Sequence, residues 1–152
     1  MPASERDVEA LTRLLGRPPR ADFVVVVRRP DGAPVVIQNA PLLDDGAPMP
    51  TRYYLVDPGI VVAVSRIEAA GGVRAAESAV DPERLRRAHQ EYASERDAAL
   101  PPDHAGPTPH GGVGGTARGV KCLHAHYAYF LAGGDDPVGL WVQGRLDEVE
   151  QP

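Results

Sequence analysis

The chain predicts an α+β fold: a single domain over residues 1–152 in which a short antiparallel sheet, a hairpin plus a third strand, packs against several helices. Three observations carry this. β-branched runs flank a Pro30-Asp31-Gly32 turn. Ser4, Asp57-Pro58, Asp81-Pro82 and Asp136-Pro137 each precede residues with apolar side chains at helical spacing. Sixteen glycines and sixteen prolines cut these segments apart.

The elements follow in order. Val8, Leu11, Leu14 and Leu15 form one helical stripe behind Ser4, and Asp7 stands where the acidic partner of a capping box belongs. Gly16 and Pro18-Pro19 end that helix. Phe23 to Val27 is a continuous apolar run, which predicts a strand at the sheet centre or buried on both faces. Val35-Val36-Ile37 is the return strand, and Arg52 to Val56 makes a third after the proline-rich residues 40–50. Tyr53 and Tyr54 then point to opposite faces. Pro58 opens a helix through Ile60, Val61, Val64 and Ile67 that Gly71-Gly72 should stop, although its β-branched first half also suits a strand. Further helices are expected from Asp81 to about Leu100, from Val120 to Ala132, and from Asp136-Pro137 onward. Residues 101–119 form a long Gly/Pro/His-rich loop without regular structure, of a length that is usually functional or disordered.

Composition narrows the function classes. A net charge of −5 gives no global basic field for nucleic acid or an anionic membrane. The apolar run in GIVVAV is far shorter than the ~20 residues that span a bilayer. The first residues lack the basic flank and apolar run of a signal peptide, and one cysteine makes no internal disulfide. The reduced cytoplasm is the expected compartment.

The chemistry concentrates in GVKCLHAHYAYFLAGG, where the only lysine, Lys121, adjoins the only cysteine, Cys122. A thiol in the first turn of a helix, beside an ammonium group, is expected to have a lowered pKa. The preceding glycine-rich loop and the helix N-terminus offer N–H groups to an anion. On a helical wheel Cys122 and His126 share a stripe and are the candidate metal ligands, with zinc the ion they would take. His124 falls away from Cys122 and joins it only if the first turn is not helical. In the 81–100 helix, His89 and Arg96 lie within the apolar stripe of Leu85, Ala88, Tyr92 and Ala99. A buried Arg96 needs an acceptor: Asp97, Asp57, Glu68 or an anionic ligand. His104 and His110 stand in the loop, solvated or closing over the Cys122 helix as a lid. Each of these residues also has a plain structural role open to it: a packed cysteine, a core histidine, an internal ion pair.

PTRYYLVDP, ERD at 95–97, GVKCLHAHYAYFLAGG and DPVG together resemble the bacterial family catalogued as domain of unknown function 501, from about Val8 to about Leu146. The resemblance implies a small cytoplasmic protein typical of high-GC Gram-positive bacteria. It carries no reaction and no catalytic residues over to this chain.

The expected site lies between the 81–100 helix and the Cys122 helix, under the 101–119 loop. It would bind a small anionic ligand, a phosphorylated one among the candidates. Arg96, Lys121 and His124 would hold the ligand, Cys122 would act as nucleophile, and His126 or His89 as acid/base. No cofactor is required by the sequence. The alternative is a non-catalytic metal-binding or protein-interaction module built on the Cys/His cluster.

Overall fold

A computed structural model describes residues 3–150; the two residues at each end of the expected 1–152 domain lie outside it. The N-terminal helix α1 (Glu5–Leu15) begins with the full capping box of Ser4 and Asp7 and ends at Gly16. The hairpin strands β1 (Phe23–Arg28) and β2 (Pro34–Asn39) pair antiparallel, and β3 (Tyr53–Leu55) adds to β2, giving the sheet order β1-β2-β3. Phe23 faces Asn39, Val25 faces Ile37 and Val36 faces Leu55.

The central strand is therefore β2, and the expectation that Phe23–Val27 lies at the sheet centre is corrected. An irregularity in register between Val25 and Val27 leaves Val26 40% exposed. Bulges of this kind twist an edge strand and discourage further pairing. The β-branched run reported strand propensity rather than position in the sheet.

Each face of the sheet is covered. On one, Leu11 of α1 packs with Phe23, Ile37 and Val56, and the Asp7 carboxylate binds Arg28 of β1 through both oxygens, at 2.9 and 2.8 Å. The other face, with Val36, Tyr53 and Leu55, meets the helical layer. That layer comprises α2 (Pro58–Ala69), α3 (Gly72–Ala79), α4 (Pro82–Ala98), α5 (Leu123–Leu131) and α6 (Pro137–Glu150). Asp57 caps α2 through the Ile60 N–H and Asp81 caps α4 through the Arg84 N–H. The fold is α+β, as the sequence predicts.

Two differences matter. Helix α3 follows where Gly71-Gly72 were expected to end helical structure. Gly71 adopts φ 87° and Gly72 packs against Ile67, so the glycines form an elbow between two helices. The 101–119 loop also contains a 3-10 turn, Val113–Gly115, whose Val113 is fully buried. None of the described helices is long and apolar enough to cross a membrane.

Candidate active-site cleft

Helix α5 starts later than its apolar pattern suggests, and that shift decides which side chains meet. Cys122 is not in the first turn. It is the N-cap, with φ −144° and ψ 118°, so its thiol leaves the helical wheel. Its sulfur lies 3.8 Å from Nδ1 of His124. His126, expected to share a stripe with Cys122, is instead fully buried against Asp136. The Cys122–His126 pairing is thus replaced by Cys122–His124, the arrangement that a non-helical first turn permits.

Glu68, at the end of α2, completes the cluster. One carboxylate oxygen accepts the Leu123 N–H at 2.8 Å, capping α5 from a neighbouring helix. The other lies 3.3 Å from Nδ1 of His124. Nearby, Glu77 of α3 accepts the Val120 N–H at 2.7 Å. The N-terminus expected to cradle a ligand anion is occupied by the protein's own carboxylate. No local sequence signal announces Glu68, since it meets residues more than fifty positions away.

The His124 ring is anchored from its far side. Its Nε2 lies 3.1 Å from the Val61 carbonyl and 3.0 Å from Ser65 Oγ, while the Ser65 hydroxyl itself donates to Val61 O. A carbonyl only accepts, so Nε2 carries the proton and Nδ1 is directed at Cys122 and Glu68. Burial pushes the Cys122 thiol up, but the His124 ring and the Ala125 N–H outweigh it, and the thiol titrates below its ordinary value. The thiol contact in turn holds His124 above the usual imidazole value despite its burial, with the Val61 carbonyl and Glu68 adding to the effect.

Cys122 and His124 line a cleft of about 680 Å³ bounded by β3, α2, the start of α5 and the 3-10 turn, with Glu68 behind them. Thr51 and Tyr54 form one wall, Val61 and Ser65 another, and Lys121, Gly114 and Gly115 the rim. Tyr54 is 46% exposed while Tyr53 is buried, so the two tyrosines do take opposite faces. The cleft is not between α4 and α5, where the sequence placed it. The loop covers its edge through glycines: His104 Nε2 donates to the Pro107 carbonyl and His110 is exposed, and neither lines the cleft.

His89 and Arg96 are buried as their stripe predicts, but each is committed to protein partners. His89 accepts the Val113 N–H at Nδ1 (3.0 Å), so its Nε2 donates to the Gly119 carbonyl (2.8 Å). It pins both ends of the glycine-rich turn, and Gly112 lies so close that a Cβ there would stand 2.6 Å from the ring. Arg96 donates to Asp97 at 3.0 Å and to the Pro50 carbonyl at 3.1 Å. Asp97 was among its expected acceptors; the cleft is not reached. The His89 and His126 rings stand edge-on with centroids 5.6 Å apart, in the interior rather than around a ligand site. His126 Nδ1 donates to Asp136 at 2.7 Å, and Nε2 has no hydrogen-bond partner among the described residues. The acid/base roles expected of His89 and His126 therefore have no exposed reacting group to act upon.

A three-stranded antiparallel sheet under a helical layer, with a thiol, an imidazole and a carboxylate meeting at one helix start, defines a small α+β protein with a chemically capable cleft. The chain belongs to the family described as protein of unknown function (DUF501), whose profile matches residues 25–144. No curated protein and no solved structure matches it.

Proposed function

We propose that this is a bacterial cytoplasmic protein that binds and acts on a small anionic ligand in the cleft between β3, α2 and the start of α5. The observation that carries the reading is the meeting of Cys122 with His124 at the cleft wall, beside the ammonium-bearing Lys121. A polarised thiol–imidazole pair opening on a space of small-molecule size is the arrangement acyl- and group-transfer sites require. Lys121 supplies the opposite charge for the ligand, and Tyr54 and Thr51 offer hydroxyls along the wall. Arg96, His89 and His126 have no part in this reading, because their polar atoms serve the interior. A free thiol on an open cleft also suits a reducing compartment.

Titration of inorganic phosphate into the purified full chain tests it. Saturable binding is expected, weakened about 2–5-fold by Lys121→Ala, the range of a single solvent-accessible charge contact. His104→Ala should leave it unchanged. Absence of saturable binding, or equal affinity in the Lys121→Ala protein, would overturn the proposal.

A further inference from the structure

We infer that Glu68, Cys122 and His124 form a binding site for a divalent transition metal of the zinc class, its fourth coordination position open to the cleft. The inference rests on the cleft reading above and names what would engage the anion.

Geometry comes first. Around a tetrahedral zinc ion, sulfur, nitrogen and oxygen ligands stand about 3.3–3.7 Å from one another. Here the Glu68 oxygen is 3.3 Å from His124 Nδ1, the Cys122 sulfur is 3.8 Å from it, and all three atoms lie within 4.8 Å of one another. Each comes from a position the fold fixes: the end of α2, the N-cap of α5 and its first turn.

The supporting contacts are those of metal ligands. A metal-bound histidine donates its other ring N–H to a carbonyl or carboxylate, and ligating carboxylates are themselves hydrogen-bonded. His124 gives its Nε2–H to Val61 O, and Glu68 takes the Leu123 N–H on the oxygen turned from the cluster. What remains is a sulfur, a nitrogen and an oxygen grouped within 4.8 Å of one another, with the Cys122 and His124 residues lining the cleft.

Charge leads to the same place. Cys122 and His124 both line the cleft that Lys121 borders. A dication held there adds positive charge beside Lys121 and offers an open position to an anionic donor. Mixed sulfur, nitrogen and oxygen ligation favours zinc over magnesium or calcium, which prefer oxygen alone.

The test uses untagged, chelator-stripped full chain titrated with zinc alone and, separately, with cobalt(II). About one zinc per chain is expected, with a thiolate-to-cobalt absorption band and slow iodoacetamide alkylation of Cys122 until the metal is chelated. His124→Ala and Glu68→Gln should each weaken zinc by more than the ~10–100-fold that loss of a supporting contact costs, and Cys122→Ser should abolish the cobalt band. Circular dichroism of each variant excludes unfolding as the cause. Lack of zinc binding by wild-type protein, or affinity unchanged in folded His124→Ala, would overturn the inference. If phosphate binding that depends on Lys121 persists in metal-free protein while zinc does not bind, the cleft reading stands and the metal falls. If zinc binds but no anion follows, the metal stands and the anion reading falls.

Discussion

His124 and His126 leave the same helix two residues apart, one beside Cys122 at the cleft and the other into the interior against Asp136. The His124 side chain is 23% exposed and that of His126 is 0% exposed. Both have a carboxylate partner, yet the carboxylates do different work. Asp136 binds His126 with one oxygen and uses the other to accept the Val138 and Gly139 N–H groups that start α6. It joins two helices through a fully desolvated contact. Glu68 caps α5 with one oxygen and turns the other toward His124, whose ring lines the cleft. Polar groups in the interior are expensive to disturb, whereas an accessible cluster can be rearranged by a ligand. The first pair holds the fold and the second is free for chemistry.

The largest effect should come from breaking the interior pair. Asp136→Ala leaves His126 Nδ1 without its acceptor and removes the cap of α6, which should cost about 3–5 kcal/mol, the range for removing one partner of a buried polar pair. Urea unfolding measures it. Phosphate affinity per folded molecule should be unchanged, since the cleft is elsewhere. A loss under about 1 kcal/mol would mean that Asp136 is readily replaced by water, and the contrast between the two histidines would fail.

Where α6 crosses α5, a smaller loss is expected. A Cβ at Gly139 would stand 2.2 Å from Phe130 Cβ and 2.8 Å from the His126 carbonyl. Gly139→Ala must therefore push the helices apart, costing about 1–3 kcal/mol. Gly144→Ala, with nothing within 4 Å of its Cβ position, should be neutral or mildly stabilising. The pair of substitutions compares the crossing with the outer face of one helix, read by thermal unfolding.

Much of the scaffold around these sites could be read from the sequence, because caps and breaks are local. Ser4 with Asp7, Asp57-Pro58 and Asp81-Pro82 announce their helices through groups three or four residues apart. The burial of His89 and Arg96 follows from helical period alone. The contents of the cleft were less legible. The wheel placed Cys122 with His126 because it assumed a helical φ and ψ at residue 122, and one extended N-cap turned the thiol toward His124. Glu68 and Asp136 find their partners through tertiary packing, which no spacing encodes. Helix α3 was hidden by glycines that end one helix and admit the next.

At the open site, stability should respond weakly. Glu68→Ala in metal-free protein removes the cap of Leu123 and should cost about 1 kcal/mol, as loss of a helix cap does. Glu68→Gln retains a carbonyl acceptor for that N–H and should cost less. Equilibrium unfolding separates the two, and a loss from Glu68→Ala as large as that from Asp136→Ala would show the cleft to be as structural as the interior.

The smallest effect is a pH dependence set in the interior by His89. Burial holds His89 below the ordinary imidazole value of 6.5; the Gly119 carbonyl and Asp136 oppose this, and the neighbouring His126 adds to it. The unfolded chain therefore takes up a proton at His89 more readily than the folded one. The stabilising contribution is fully present above about pH 6.5 and declines as pH falls from there through the lower folded value. The structural reason is specific: Nδ1 accepts the Val113 N–H, and a proton on that nitrogen ends the bond. Acidification below pH 6.5 should thus lower the protection of the Val113 amide, relative to its intrinsic exchange rate, before it affects Tyr92 or Leu123 in the surrounding core. His89→Gln should remove this pH step. A Val113 amide equally protected on both sides of the transition would mean that His89 does not hold the turn through its neutral ring, and the glycine-rich turn beside the cleft would then owe its position to the burial of Val113 alone.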